Sequence, residues 1–206
     1  MPKSLVVLTA DKSMRLCVEA ILGRAAELGF RLAIDDYLVL ADAGKDPGVF
    51  RRAHETLRSQ LNQYHYAILM CDREGAGAGE LTREGMEAQM ETRLAQNGWQ
   101  ERSAAVVIEP ELENWIWVDS SQLDTLLGWE GRQPVLREWL RVTGYLPARQ
   151  VKPTEPKRCL DEALRLVGQK RDSALFRTIA ATVNLARCTD PAFVKFLTVL
   201  RRWFPH

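Results

Sequence analysis

The strongest constraint on how this chain can fold is an alternation. Four short apolar runs, at residues 4–10, 31–40, 66–71 and 104–108, are separated by segments in which apolar residues recur at helical spacing. Runs of that length suit buried strands. Between the first two, apolar side chains at positions 14, 17, 18, 21, 22, 25 and 28 keep a helical period that Gly29 stops, and Asp11-Lys12-Ser13 supply capping oxygens in front of it. "DAGKDPGVF" (42–50) reads as a loop with Asp-Pro-Gly turn chemistry, followed by a helix over about 49–61. A further helix over 81–96 is closed by Asn97-Gly98. The β-α-β-α-β-α-β order predicts an α/β fold with a mainly parallel sheet of about four strands flanked by helices.

After Val118 only helical patterns remain. Residues 152–168 open with two prolines and close in glycine, and 173–183 and 190–204 are amphipathic. The expected division is an α/β part at 1–118 and a helical part at 119–206, the latter either separate or packed on the former. At 206 residues there is material for one domain with a real core. No apolar run approaches the ~20 residues of a membrane helix, and the first residues lack a signal-peptide pattern, so a cytoplasmic protein without membrane partners is expected. Cys17, Cys71, Cys159 and Cys188 form no CxxC pair and share no zinc spacing with His54, His65 or His206, which predicts reduced thiols.

Charge is unevenly distributed. Residues 1–144 hold 16 Lys+Arg against 22 Asp+Glu, whereas 145–206 hold 12 against 5. That asymmetry suggests a basic C-terminal surface facing nucleic acid or the protein's own acidic half, the alternative being a solvated polar face with no partner.

In parallel α/β sheets ligands bind beyond the carboxyl ends of the strands. Acids stand at or just past three such ends: Asp11 after the first run, Asp72 and Glu74 after the third, and Glu109, Glu111 and Glu113 after the fourth. Hard divalent cations such as Mg²⁺ take oxygen ligands of this kind, often only one or two carboxylates with water completing the shell. Each acid also has a purely structural reading. Asp11 can cap the first helix, and Arg73 can pair with a local acid beside a glycine turn. Spacing of two in an extended segment would send Glu109, Glu111 and Glu113 to one face, where they would repel unless neutralised. Trp115 and Trp117 are expected to pack inside. "GAGAG" (75–79) lacks the Gly-Lys-Ser/Thr ending and the GxGxxG spacing of phosphate loops.

"CDREG" (71–75) after an apolar strand resembles the Asp-x-Asp-Arg-Glu-Gly signature of TOPRIM domains, the fold shared by topoisomerases, primases and several nucleases. "IEPELENWIW" (108–117) resembles the Glu-x-Trp element of TOPRIM-like proteins in bacterial phage-defence loci. The order of these with "DAGKDPGVFRRAHETLR", "NGW", "KPTEPK" and "CTDPAFVKFLTVLRRWF" is similar to the TOPRIM-like component of methylation-associated defence systems. The resemblance implies a Mg²⁺ or Mn²⁺ site, nuclease-type activity on phosphodiesters, and other defence-system proteins as partners. It implies Asp72, Glu74 and Glu111 as catalytic carboxylates and Asp72, Glu74, Glu111, Glu113 and Asp11 as metal ligands. Lys45 and Arg73 would contact phosphate, and Lys152, Lys157 and Arg158, with Lys170 and Arg171, would track a nucleic-acid backbone. The chain departs from the TOPRIM pattern twice. The strand-one glutamate position falls within "LTA" (8–10), and Met70 stands where the first aspartate of the pair would be. A scaffold that has lost catalysis and serves as a protein–protein adaptor is the alternative, and an exposed apolar patch around Trp115, Trp117 or Trp203 would support it.

Overall fold

The computed structural model describes residues 2–185 and 188–206. Its centre is a four-stranded, wholly parallel sheet in the order β2-β1-β3-β4, formed by β1 (Lys3–Thr9), β2 (Tyr37–Ala41), β3 (Tyr64–Asp72) and β4 (Ser103–Ile108). The register sets Leu5 between Tyr37 and Tyr66, and Ile68 against Ala104. From Leu5 to Leu8 and from Ala67 to Cys71 every residue is buried, because helices cover both faces and the central strands need no polar side. The crossovers are α1 (Lys12–Leu22), α2 (Lys45–Thr56) and α3 (Arg83–Leu94). Right-handed crossovers place α2 and α3, which pack together, on one face and α1 on the other. The helical remainder consists of α4 (Glu113–Ile116), α5 (Ser121–Leu126), α6 (Leu136–Val142), α7 (Pro156–Val167), α8 (Ser173–Thr182) and α9 (Pro191–Trp203).

Three expected boundaries move. The second strand begins at Tyr37, not at residue 31, because Ile34–Asp36 form a 3-10 turn. Asp36 there accepts a hydrogen bond from the Ser4 amide at 3.0 Å, while Ile34 stays 77% exposed with nothing to pack against. The first regular helix ends at Leu22, since glycine follows at 23 and the chain continues as turns that still bury Ala25 and Leu28. Most consequentially, the Asp-Pro-Gly segment is helix, not loop. Pro47 lies in the first turn of α2, where a missing amide hydrogen is no loss, so α2 starts at Lys45.

The outer edge of β4 is closed by side chains. The Ala105 and Val107 amides, which no strand pairs, donate to Glu91 at 2.9 Å and Glu87 at 3.0 Å on α3. Lys195 on α9 sits between both carboxylates at 3.0 and 3.1 Å. Two acids thus replace the carbonyls of a fifth strand and remove an edge that would otherwise template aggregation.

Residues before and after Val118 share one continuous core. Trp115 meets Phe193 edge-on at 5.1 Å and stacks on Phe196 at 5.9 Å, and Tyr66 of β3 stacks on Trp203 at 4.4 Å. The uneven charge is used internally as well. Lys157 pairs with Glu111, Arg171 with Glu113, Arg177 with Glu19, and Lys195 with Glu87 and Glu91. All four thiols are free and buried. Among the described residues no helix is long and apolar enough to cross a membrane.

Candidate functional site

With this strand order the chain leaves β1 in one direction for β2 and returns past β1 to form β3, so the sheet's topological switch point lies between β1 and β3. Acids from four elements converge there. Asp11 follows β1, Asp72 ends β3, Asp46 lies in the first turn of α2, and Glu113 opens α4. Asp46 was not among the residues singled out in the sequence, because Asp-Pro-Gly was read as a turn. The available signal was the proline itself, which is as well suited to a first helical turn as to a loop. The Asp46 carboxylate accepts the Asp72 amide at 2.7 Å. On its other side it presses on Gly75, where an added Cβ would lie 2.5 Å from Asp46 Oδ2. That contact explains why a glycine follows Glu74.

Asp72 is the unusual member. Its Oδ1 is buried and has no hydrogen-bond partner. Burial pushes its carboxyl well above the ordinary 3.8, the negative charges of Asp46 and Glu113 push it further, the Leu112 amide opposes them, and Asp11 adds to the rise. Burial also raises Asp46, against the stabilising Asp72 amide. Glu113 is raised by burial and restrained by Arg171, whose guanidinium lies 3.0 Å from it. The four carboxylates line a cleft of about 320 Å³ shared with Lys45, Lys157 and Arg171. Lys45 opens α2 with φ +54°, a left-handed conformation that side chains rarely adopt and that marks strain at the cleft wall.

Of the residues expected to act on a ligand, Asp11, Asp72, Glu113, Lys45, Lys157 and Arg171 line the cleft, and Asp46 joins them. The others lie elsewhere. Glu74 is exposed in a 3-10 turn (Glu74–Ala76). Glu111 accepts the Lys157 amide at 3.1 Å and caps α7. Arg73 donates to the Leu81 carbonyl at 3.1 Å and pairs with Glu109 at 3.4 Å. Lys152 donates to the Asn114 carbonyl and approaches Cys188 Sγ at 3.5 Å, and Arg158 pairs with its neighbour Glu155 at 3.2 Å. The expectation that Glu109, Glu111 and Glu113 share one face is overturned. After Pro110 the chain coils, with Leu112 already helical, so the three carboxylates diverge to Arg73, to α7 and to the cleft.

Asp11 also caps α1, accepting the Met14 amide at 2.9 Å. Trp115 and Trp117 are interior, donating to Asp190 and to the Pro156 carbonyl, and Trp203 is covered by Tyr66. Trp115 and Trp117 thus expose almost no apolar surface, and Trp203 is half-buried.

Among the described residues, no three His, Cys, Asp or Glu side chains stand close enough together to share one ion as they are. The donor set nonetheless fits a hard divalent cation, which needs only one or two carboxylates and takes water elsewhere. A buried carboxylate oxygen without a partner, ringed by further acids, is the ligand such an ion would neutralise.

The fold and site thus define an α/β protein with a strand-end acidic cleft. No family model matches the chain, and no curated protein is similar to it. Among solved structures, the C-terminal region of the Xanthomonas campestris pv. campestris OLD protein superposes with a TM-score of 0.50 and 14% identity, over 97% of this chain and 93% of that one. At that identity the likeness concerns the fold, and it spans the α/β part and the helical part together.

Proposed function

We propose that the chain is a TOPRIM-like, divalent-metal-dependent effector that cleaves phosphodiesters within a bacterial antiviral defence system. The observation that carries this reading is the buried, unpartnered Oδ1 of Asp72 at the switch point, on a residue that lines one cleft with three further carboxylates and three cations. The fold likeness agrees with a TOPRIM-like reading, and the defence role rests on the order of motifs along the chain.

Asp72, with Glu113 or Asp46 beside it, would hold Mg²⁺ or Mn²⁺. When bound, such an ion neutralises phosphate charge and lowers the pKa of a coordinated water. The chain's own residues supply the rest. Asp46 holds the β3 end through the Asp72 amide, Arg171 restrains Glu113, and Lys45 and Lys157 offer ammonium groups to phosphate oxygens. Met70, fully buried in β3, takes no part.

Calorimetric titration with Mn²⁺ and Mg²⁺ tests this on the wild type and on Asp72→Asn, which keeps the shape and removes the charge. Saturable binding is expected in the wild type, weakened at least tenfold in the variant. A wild type that binds neither ion sinks the enzyme reading. The adaptor reading, which Met70 in place of a carboxylate favours, would then take its place.

A further inference from the structure

We infer that the cleft takes a phosphate monoester, the terminal phosphate of one nucleotide unit, free or at the end of a single strand. An internal phosphodiester, with two unesterified oxygens, matches its three cations less well. This rests on the site proposed above and names the group by which a ligand is held there; in a strand, the bond cleaved would be the diester next to that terminal phosphate.

The first ground is enclosure. The helical region roofs the strand ends, contributing Lys157 from α7, Arg171 from the turn that follows, and Phe176 from α8. α8 itself runs beside α1, so that of its residues only Phe176 borders the cleft. Ser13 Oγ meets Ser173 Oγ at 3.0 Å, Arg177 lies 3.7 Å from Glu19, and Arg24 donates to the Ala180 and Val183 carbonyls at 2.6 and 2.9 Å. The space left, about 320 Å³, lies at the lower end of small-molecule sites, roughly 300–1,000 Å³.

The second ground is the placement of the cations. Lys45, Lys157 and Arg171 come from three separate elements around the carboxylates. Arg171 and Lys157 are held in place by Glu113 and Glu111, at 3.0 and 3.5 Å, and among the described residues no hydrogen bond or ion pair engages the Lys45 side chain. Three cations from different directions suit a group with three unesterified oxygens better than a diester with two. A divalent ion held by the carboxylates would add positive charge beside the three cations, so the ion and a phosphate dianion should enter together, each strengthening the other by the same factor.

The test measures binding by fluorescence anisotropy in Mn²⁺. The ligands are a short single-stranded oligonucleotide carrying a 5′- or 3′-phosphate, the same strand without phosphate, and its circular form, with a nucleoside monophosphate as competitor. The phosphorylated strand should bind at least tenfold more tightly than the circular or unphosphorylated one. Lys45→Gln should abolish that preference and Lys45→Arg restore it. A monophosphate that competes as well as the phosphorylated strand identifies a free nucleotide as the ligand, and weaker competition identifies a strand end. Equal binding of circular and phosphorylated strands, or no phosphate preference, overturns the inference. Mn²⁺ calorimetry on the same sample separates the two failures. Ion binding that depends on Asp72, without end preference, overturns the substrate class alone, and absent ion binding overturns the site as well.

Discussion

Asp72 combines a strand-end position, which can be read locally, with a buried and unpartnered oxygen, which cannot. Its electrostatics set the sign of a pH effect. In the metal-free folded state Asp72, Asp46 and Glu113 hold protons at pH values where the unfolded chain, with ordinary carboxyls at 3.8 and 4.5, has released them. Their stabilising contribution is complete below those ordinary values and is lost as pH rises through the raised ones. Metal-free Tm should therefore fall with rising pH across that window, and fall less in Asp72→Asn. At neutral pH the variant should gain on the order of 1 kcal/mol, or about 2–4 °C, measured by thermal unfolding across a pH series. A variant less stable than the wild type at neutral pH would contradict this. Lys45 presents the opposite balance, since its left-handed backbone is a local strain. Lys45→Gly should stabilise the fold by up to about 1 kcal/mol in urea unfolding while weakening phosphate binding.

At the scale of elements, the site depends on how helices are anchored to strands. Glu87 joins α3, β4 and α9 by accepting the Val107 amide and pairing with Arg83 and Lys195. Glu87→Ala leaves the buried Val107 amide without its acceptor and removes one of two acidic partners from each of Arg83 and Lys195, and should cost about 2–4 kcal/mol; Glu87→Gln keeps an acceptor and should cost clearly less, both read from urea midpoints. Asp190 does the same for α9, accepting the Ala192, Phe193 and Trp115 Nε1 hydrogens at 3.0, 3.1 and 3.0 Å. Asp190→Ala should cost about 2–4 kcal/mol, a lost cap plus a buried indole donor left unpaired, with near-ultraviolet circular dichroism reporting a loosened Trp115. The element pattern itself was legible because strand and helix periods are local properties. The boundaries that failed are those where distant groups decide, such as Asp36 bound to Ser4, or where proline permits both a turn and a first helical turn, as at Pro47.

For the whole molecule, the arrangement of the helical region matters most. It supplies Lys157 and Arg171 to the cleft, roofs it with Phe176, and completes the core through Phe193 and Phe196 against Trp115. A chain ending at Val118 would expose these surfaces. It should lose cooperative unfolding, seen as a broad, low-enthalpy calorimetric transition. A sharp two-state transition in that truncated chain would show that the α/β part stands alone.

The sequence by itself determined the alternation of strands and helices, and hence the parallel sheet and the presence of carboxylates at its strand ends, because hydrophobic period and run length act over a few residues. Only the tertiary structure decided which of those carboxylates meet. Glu111 is drawn to the amide of Lys157, 46 positions away, and Asp46 reaches Asp72 across 26 positions. Such partners compete by burial and hydrogen-bond geometry, which no local pattern encodes, so Glu74 and Glu111 lie outside the cleft while Asp46 and Arg171 lie within it.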